Sequence, residues 1–117
     1  MSLCRTQPTF PYRREQIVSG QAVDVPYQFV DGDLQPRTLV SLRWRYDDLT
    51  HARTLQDWTS ISPPESRGSI TIDADKNTID GRYTERQLNQ VIFEGVDSAG
   101  HVRRELAFVE VLPIFDG

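Results

Sequence analysis

The chain has 117 residues, one ordinary domain, and at that length a single hydrophobic core is feasible without disulfides or metal. Its net charge of −4 argues against nucleic acid as the main partner, because phosphate binding wants a concentrated excess of Lys and Arg. Cys4 is the only cysteine, which excludes an internal disulfide and a Cys-based zinc site, and no run approaches the ~20 apolar residues of a membrane helix.

Residues 1–20 read as an extended N-terminal arm. Pro8 and Pro11 bar regular helix and sheet interior there. The stretch lacks the apolar segment of a signal peptide, so synthesis and assembly in the cytoplasm are expected. Phe10 and Tyr12 flank Pro11, and Arg13 and Arg14 follow. Disordered tails are poor in aromatics, so these four residues are candidate anchors of a docking arm, with a plain disordered tail as the alternative.

From residue 21 to residue 117 the pattern is that of a β domain. In "VDVPYQF", Val23, Val25, Tyr27 and Phe29 share one face at period two, while Pro26 marks an edge strand. "LVSLRWRY" puts Val40, Leu42, Trp44 and Tyr46 on a buried face and Arg43 and Arg45 on the opposite one. A weaker strand surrounds Trp58 and stops at Pro63-Pro64. "GSITIDA" turns Ile70 and Ile72 inward. "RQLNQVIFEGVD" runs Val91, Ile92 and Phe93 together, as in a strand covered on both sides. Asp97 to Gly100 is a tight hairpin connection, and the last strand carries Leu106, Phe108, Val109 and Val111. No segment holds a helical stripe. About seven short strands with regular turn signals predict an all-β fold, an immunoglobulin- or fibronectin III-like β-sandwich, with a small barrel or jelly roll as the alternative.

"TIDADKNTIDG" resembles a calcium loop, with Asp73, Asp75 and Asn77 at alternate positions. An EF-hand needs Gly at position 6 and Glu at position 12. Counted from Asp73, those positions hold Thr78 and Thr84, and the flanks read as strands rather than helices. The plainer reading is that Asp and Asn end a strand here, because their side chains can satisfy turn backbone groups. His51 and His101 are isolated loop residues without metal-ligand spacing, although Asp48 and His51 are close enough in sequence to pair. There is no Gly-x-Ser-x-Gly elbow, Walker loop or dinucleotide Gly cluster, so neither catalysis nor a cofactor is expected.

Of the 13 basic residues only Lys76 is lysine. A GC-rich genome explains this bias. Arginine also suits packed interfaces, because its planar fork is weakly hydrated and pairs bidentately with carboxylates. Arg43 and Arg45, side by side on a strand face of an acidic protein, fit carboxylate partners across an interface; a solvated outer face is the simpler reading.

The order of segments resembles small immunoglobulin-like structural proteins of tailed bacteriophages and prophages. The matching residues are Tyr46 and Asp47, Trp58 and Thr59, Ile70 and Ile72, Asn77 and Ile79, Glu85 and Arg86, and Gly100, across residues 38–111. The resemblance implies a non-enzymatic virion component, made in the bacterial host cytoplasm. It would serve as a head decoration protein or a small connector or tail part, in several symmetric copies bound to capsid, connector or tail proteins. It implies no catalytic residues, and its alignment makes Asn77 a turn residue and Ile79 a core residue, leaving Asp73 and Asp75 as solvated caps. The alternative is a module that binds carbohydrate or a cell-surface molecule through Trp58. Titration with calcium is expected to leave the melting temperature unchanged; a saturable rise would restore the metal reading of Asp73 and Asp75.

Overall fold

The computed structural model describes residues 13–30, 35, 38–79 and 86–113. Strand alternation sorts these residues into two packed sheets. The wide sheet contains β1 (Arg13–Val18), β3 (Leu39–Asp48), β4 (Arg53–Ser60), β6 (Gln87–Asp97) and β7 (Val102–Leu112), in the order β1-β7-β6-β3-β4. The narrow sheet is β2 (Val23–Gln28) paired antiparallel with β5 (Arg67–Ile72). All neighbours in the wide sheet are antiparallel except β1, which runs parallel to β7. With β7-β6-β3-β4 in one sheet and β2-β5 in the other, the order corresponds to the immunoglobulin sandwich, as expected from sequence.

The narrow sheet supplies Val23, Val25, Tyr27, Ile70 and Ile72 to the core, and Phe29 follows β2 into it. The wide sheet answers with Leu42, Tyr46, Val91, Phe93, Ala107, Val109 and Val111. Tyr27 and Phe93 meet across the interface with ring centroids 5.0 Å apart, within the range of favourable aromatic pairs. Pro26 falls opposite Ser69 in a strand that has one partner among the described residues, where its missing N–H is tolerated.

Four sequence expectations change. Among the described residues, β structure is already present at Arg13–Val18, before Gly20, so part of the expected arm is a strand of the wide sheet. β1 escapes pattern reading because it sends one apolar side chain, Ile17, against the core. Phe10 and Tyr12 lie outside the described residues. Val40 is 60% exposed rather than buried, because the ladder to β6 shifts register between Leu39 and Ser41 and pushes it out of the alternation. Leu39 takes the buried place. Trp44 keeps its expected side but is only partly buried against the core. Finally, the two sides of β6 are covered unequally: Val91 and Phe93 are buried, while Ile92 faces the outer side and is half-buried.

The tight connection at Asp97–Gly100 is present. Asp97 Oδ1 accepts hydrogen bonds from the backbone N–H groups of Ala99 and His101, at 3.0 and 2.9 Å. Gly100 closes the turn at φ +86°, which favours glycine. After β5 the chain makes one 3-10 turn, Ala74–Asn77. Asp73 and Asp75 are exposed, while Asn77 and Ile79 are buried. Among the described residues no group of three or more His, Cys, Asp or Glu side chains is placed to hold a metal.

Gly95 is buried at a close approach between Leu39 and Phe29. A Cβ there would lie 3.1 and 3.2 Å from the two Cδ atoms of Leu39 and 3.5 Å from the Phe29 ring. Gly95→Ala is therefore expected to destabilise the fold by about 1–3 kcal/mol through overpacking, measured as a lower urea midpoint at unchanged slope.

Candidate protein-binding face

The outer face of the wide sheet carries the arginines. Register places Arg43, Arg45 and Asp47 of β3 opposite Glu94, Ile92 and Gln90 of β6. It places Glu94, Ile92, Gln90 and Leu88 opposite Arg104, Leu106, Phe108 and Glu110 of β7. Phe108 and Glu110 in turn lie beside Arg14 and Gln16 of β1. Partners in a ladder point to the same side, so these residues form one continuous surface opposite the core.

Its centre is Glu94, which is 9% exposed. Arg43 donates from Nε and Nη2 to Glu94 Oε1, at 2.9 and 2.7 Å. Arg104 donates from Nε to Oε2 at 2.9 Å, and its Nη2 is equally close. Two strands therefore deliver guanidinium groups to opposite oxygens of one carboxylate. The Arg43 guanidinium also lies 4.0 Å from the ring centroid of the half-buried Trp58, a cation–π contact. Trp58 reaches this face because the β3–β4 ladder shifts register between Trp44 and Tyr46, with Ser60 opposite Arg43 and Thr59 opposite Trp44. The Arg43 hydrogen bond is the main influence holding the Glu94 carboxyl below its ordinary value; burial opposes it and Arg104 assists.

The other sequence candidates separate. Arg45 shares the face of Arg43, but its head turns away to Asp47 Oδ1 at 3.0 Å and Thr54 Oγ1 at 2.7 Å. Arg14 sits at the β1 edge with Glu110, 3.4 Å away, which also accepts from Gln16 at 2.8 Å and lies 3.4 Å from Arg86. Arg13 opens β1, and its side chain is not among those described. Trp58 was the candidate for sugar stacking; one of its ring faces is taken by Arg43.

A second polar constellation lies inside, at one end of the sandwich. Gln87 Nε2 donates to Asn89 Oδ1 at 2.9 Å, and Asn89 Nδ2 donates to the Tyr46 hydroxyl at 2.9 Å. That hydroxyl donates to Asn77 Oδ1 at 2.6 Å, and Asn77 Nδ2 donates to the Gln21 carbonyl at 2.8 Å. All four side chains are fully buried. Burial pushes the Tyr46 phenol far above its ordinary value. The chain stitches β6, β3, the 3-10 turn and the β1–β2 connection together. It begins at Gln87 Oε1, a buried acceptor with no partner among the described residues.

Asp48 adjoins this end, fully buried and opposite Asn89. It accepts from the His51 backbone N–H at 3.0 Å and from Arg53 Nε at 2.9 Å, with His51 Nδ1 at 2.7 Å. The Asp48–His51 proximity seen in sequence is thus a turn lock rather than a pair of solvated residues. Burial by itself would raise the Asp48 carboxyl, but the Arg53 and His51 hydrogen bonds outweigh it and hold the group below its ordinary value.

Sequence reasoning found Arg43 but missed Glu94 and Arg104, which complete its site. The available signal was a single carboxylate inside the apolar run "VIFEGV", which on the face opposite Phe93 demands a cationic partner.

Asp48 and Glu94 both have folded values below their unfolded ones. Their contributions are fully present above the unfolded carboxylate range near pH ~4 and are lost as pH falls through the folded values. The urea midpoint is expected to be flat from about pH 5 to pH 7 and to drop below about pH 4. Asp48→Asn should lower the plateau by about 1–3 kcal/mol and make the acid drop shallower, read from urea melts across that pH range.

No protein-family model matches the chain, and neither a curated protein nor a solved structure matches it.

Proposed function

We propose that this chain is a non-enzymatic structural component of a tailed-phage particle, a small immunoglobulin-like unit that binds neighbouring virion proteins. The observation that carries this reading is the Arg43–Trp58 pair fixed by Glu94 on the outer face of the wide sheet. Arginine and tryptophan are the residues that most often dominate protein–protein binding energy, and side chains held in place beforehand lose little entropy on association. Half-buried Ile92 and Leu106 on the same face supply apolar area beside the charges. The resemblance across residues 38–111 points to the same class. Carbohydrate binding is less well supported, because Arg43 occupies one face of the Trp58 indole that a sugar would need.

β1 spans Arg13–Val18, so removing residues 1–12 leaves that strand whole. In host cells producing particles, the full protein is expected to sediment with them and to appear in their mass spectrum. The variant lacking residues 1–12 is expected to fold yet incorporate less, if Phe10 and Tyr12 are anchors. A full-length protein that stays wholly in the soluble fraction while particles assemble would overturn the proposal.

A further inference from the structure

The Glu94 cluster carries two positive charges against one negative, and this imbalance has a direction. Arg43 and Arg104 each turn one edge, Nε and Nη2, toward Glu94. Guanidinium has five N–H donors in a rigid plane, so each Nη1 group remains available. Neither Nη1 has a hydrogen-bond partner among the described residues. The Arg43 and Arg104 side chains are 46% and 65% exposed, whereas Glu94 beneath them is at 10%. The cations therefore stand above their shared anion, and Trp58 walls Arg43 on one side.

We propose that Arg43, Arg104 and Trp58 form a docking site for a carboxylate on an acidic peptide segment of a neighbouring protein. This rests on the assembly reading above and names the chemistry of the partner. A second carboxylate placed over the two Nη1 groups would complete an alternating arrangement of two anions and two cations. The outer face as a whole has the same bias. Arg14, Arg43, Arg45, Arg86 and Arg104 outnumber Asp47, Glu94 and Glu110 there, in a chain whose net charge is −4. Like-charge juxtaposition disfavours pairing two copies through this same face, so charge complementarity selects an acidic partner over a second copy. Val96 and the 57% exposed Val102 lie one step along the same ladder from Glu94 and Arg104, and fit an apolar residue beside the acid.

The test is an NMR titration of the full chain with a blocked decapeptide that alternates Glu and Val. Trp58 Nε1–H is assigned by Trp58→Phe and followed together with the Nε–H signals of Arg43 and Arg104. Saturable shifts confined to these groups are expected, absent with a Gln-Val peptide and weakened as salt rises. Arg104→Gln retains the Arg43–Glu94 pair and should fold with a modestly lower melting temperature, confirmed by a native-like spectrum, yet weaken binding about ten-fold or more. No saturation at millimolar Glu-Val peptide, or an equal response to the Gln-Val peptide, would overturn the site. Tighter binding of inorganic phosphate or a short DNA duplex would likewise reassign it. Failure in a protein that still sediments with particles removes the carboxylate site alone. Saturable peptide binding by a protein absent from particles removes the assembly reading alone.

Discussion

The outer face is organised by the Glu94 carboxylate. Without it Arg43 and Arg104, from strands on either side of β6, would repel one another and disperse into solvent. A largely buried carboxylate is costly unless its oxygens are satisfied, and here two guanidinium groups satisfy both. The dependence is mutual: the arginines keep Glu94 ionised, and Glu94 keeps the arginines fixed. Trp58 adds a third constraint by covering one side of Arg43. Rigidity of this kind is what separates a recognition surface from a solvated row of charges.

β6 connects this surface to the core. Phe93 and Glu94 are neighbours in sequence and point to opposite sides of the sheet, one against Tyr27 and the other under the arginines. Any movement of β6 that loosened the Tyr27–Phe93 contact would displace the outer cluster with it. The core is apolar in its middle and polar at one end, where Asp48 and the Tyr46–Asn77–Asn89–Gln87 chain lie. These polar groups seal the sandwich where the narrow sheet gives way to connections.

Legibility followed the physics of each element. The inward sets of β2 and β5 were readable because alternation at period two is a local property, whereas the apolar residues of β7 fall on both faces, with Leu106 and Phe108 outward and Ala107, Val109 and Val111 inward. Ile79 lies in the core as the resemblance implied, whereas the Asn77 side chain, expected to serve the turn, is buried and bonds to Tyr46 and Gln21, partners 31 and 56 residues away. β1 was hidden, since an edge strand with one core contact leaves almost no hydrophobic trace. Val40 was shifted by a ladder irregularity, which no local pattern encodes. The candidate site was half legible. Arg43 announced itself by type and position, but Glu94 and Arg104 become its partners only through pairing across 51 and 10 residues of chain.

The buried amide chain has a consequence for how β6 finds its neighbours. Alternation distinguishes inside from outside, yet a strand slipped by two residues still keeps every apolar side chain inside. Slippage of that size would bring Val91 opposite Asp48 and draw Asn89 away from its present place beside the Tyr46 hydroxyl. Several polar groups would then be stranded in the interior, each a substantial penalty. The amides therefore act as an index mark: hydrophobicity selects the face, and the polar end selects the one alignment along it.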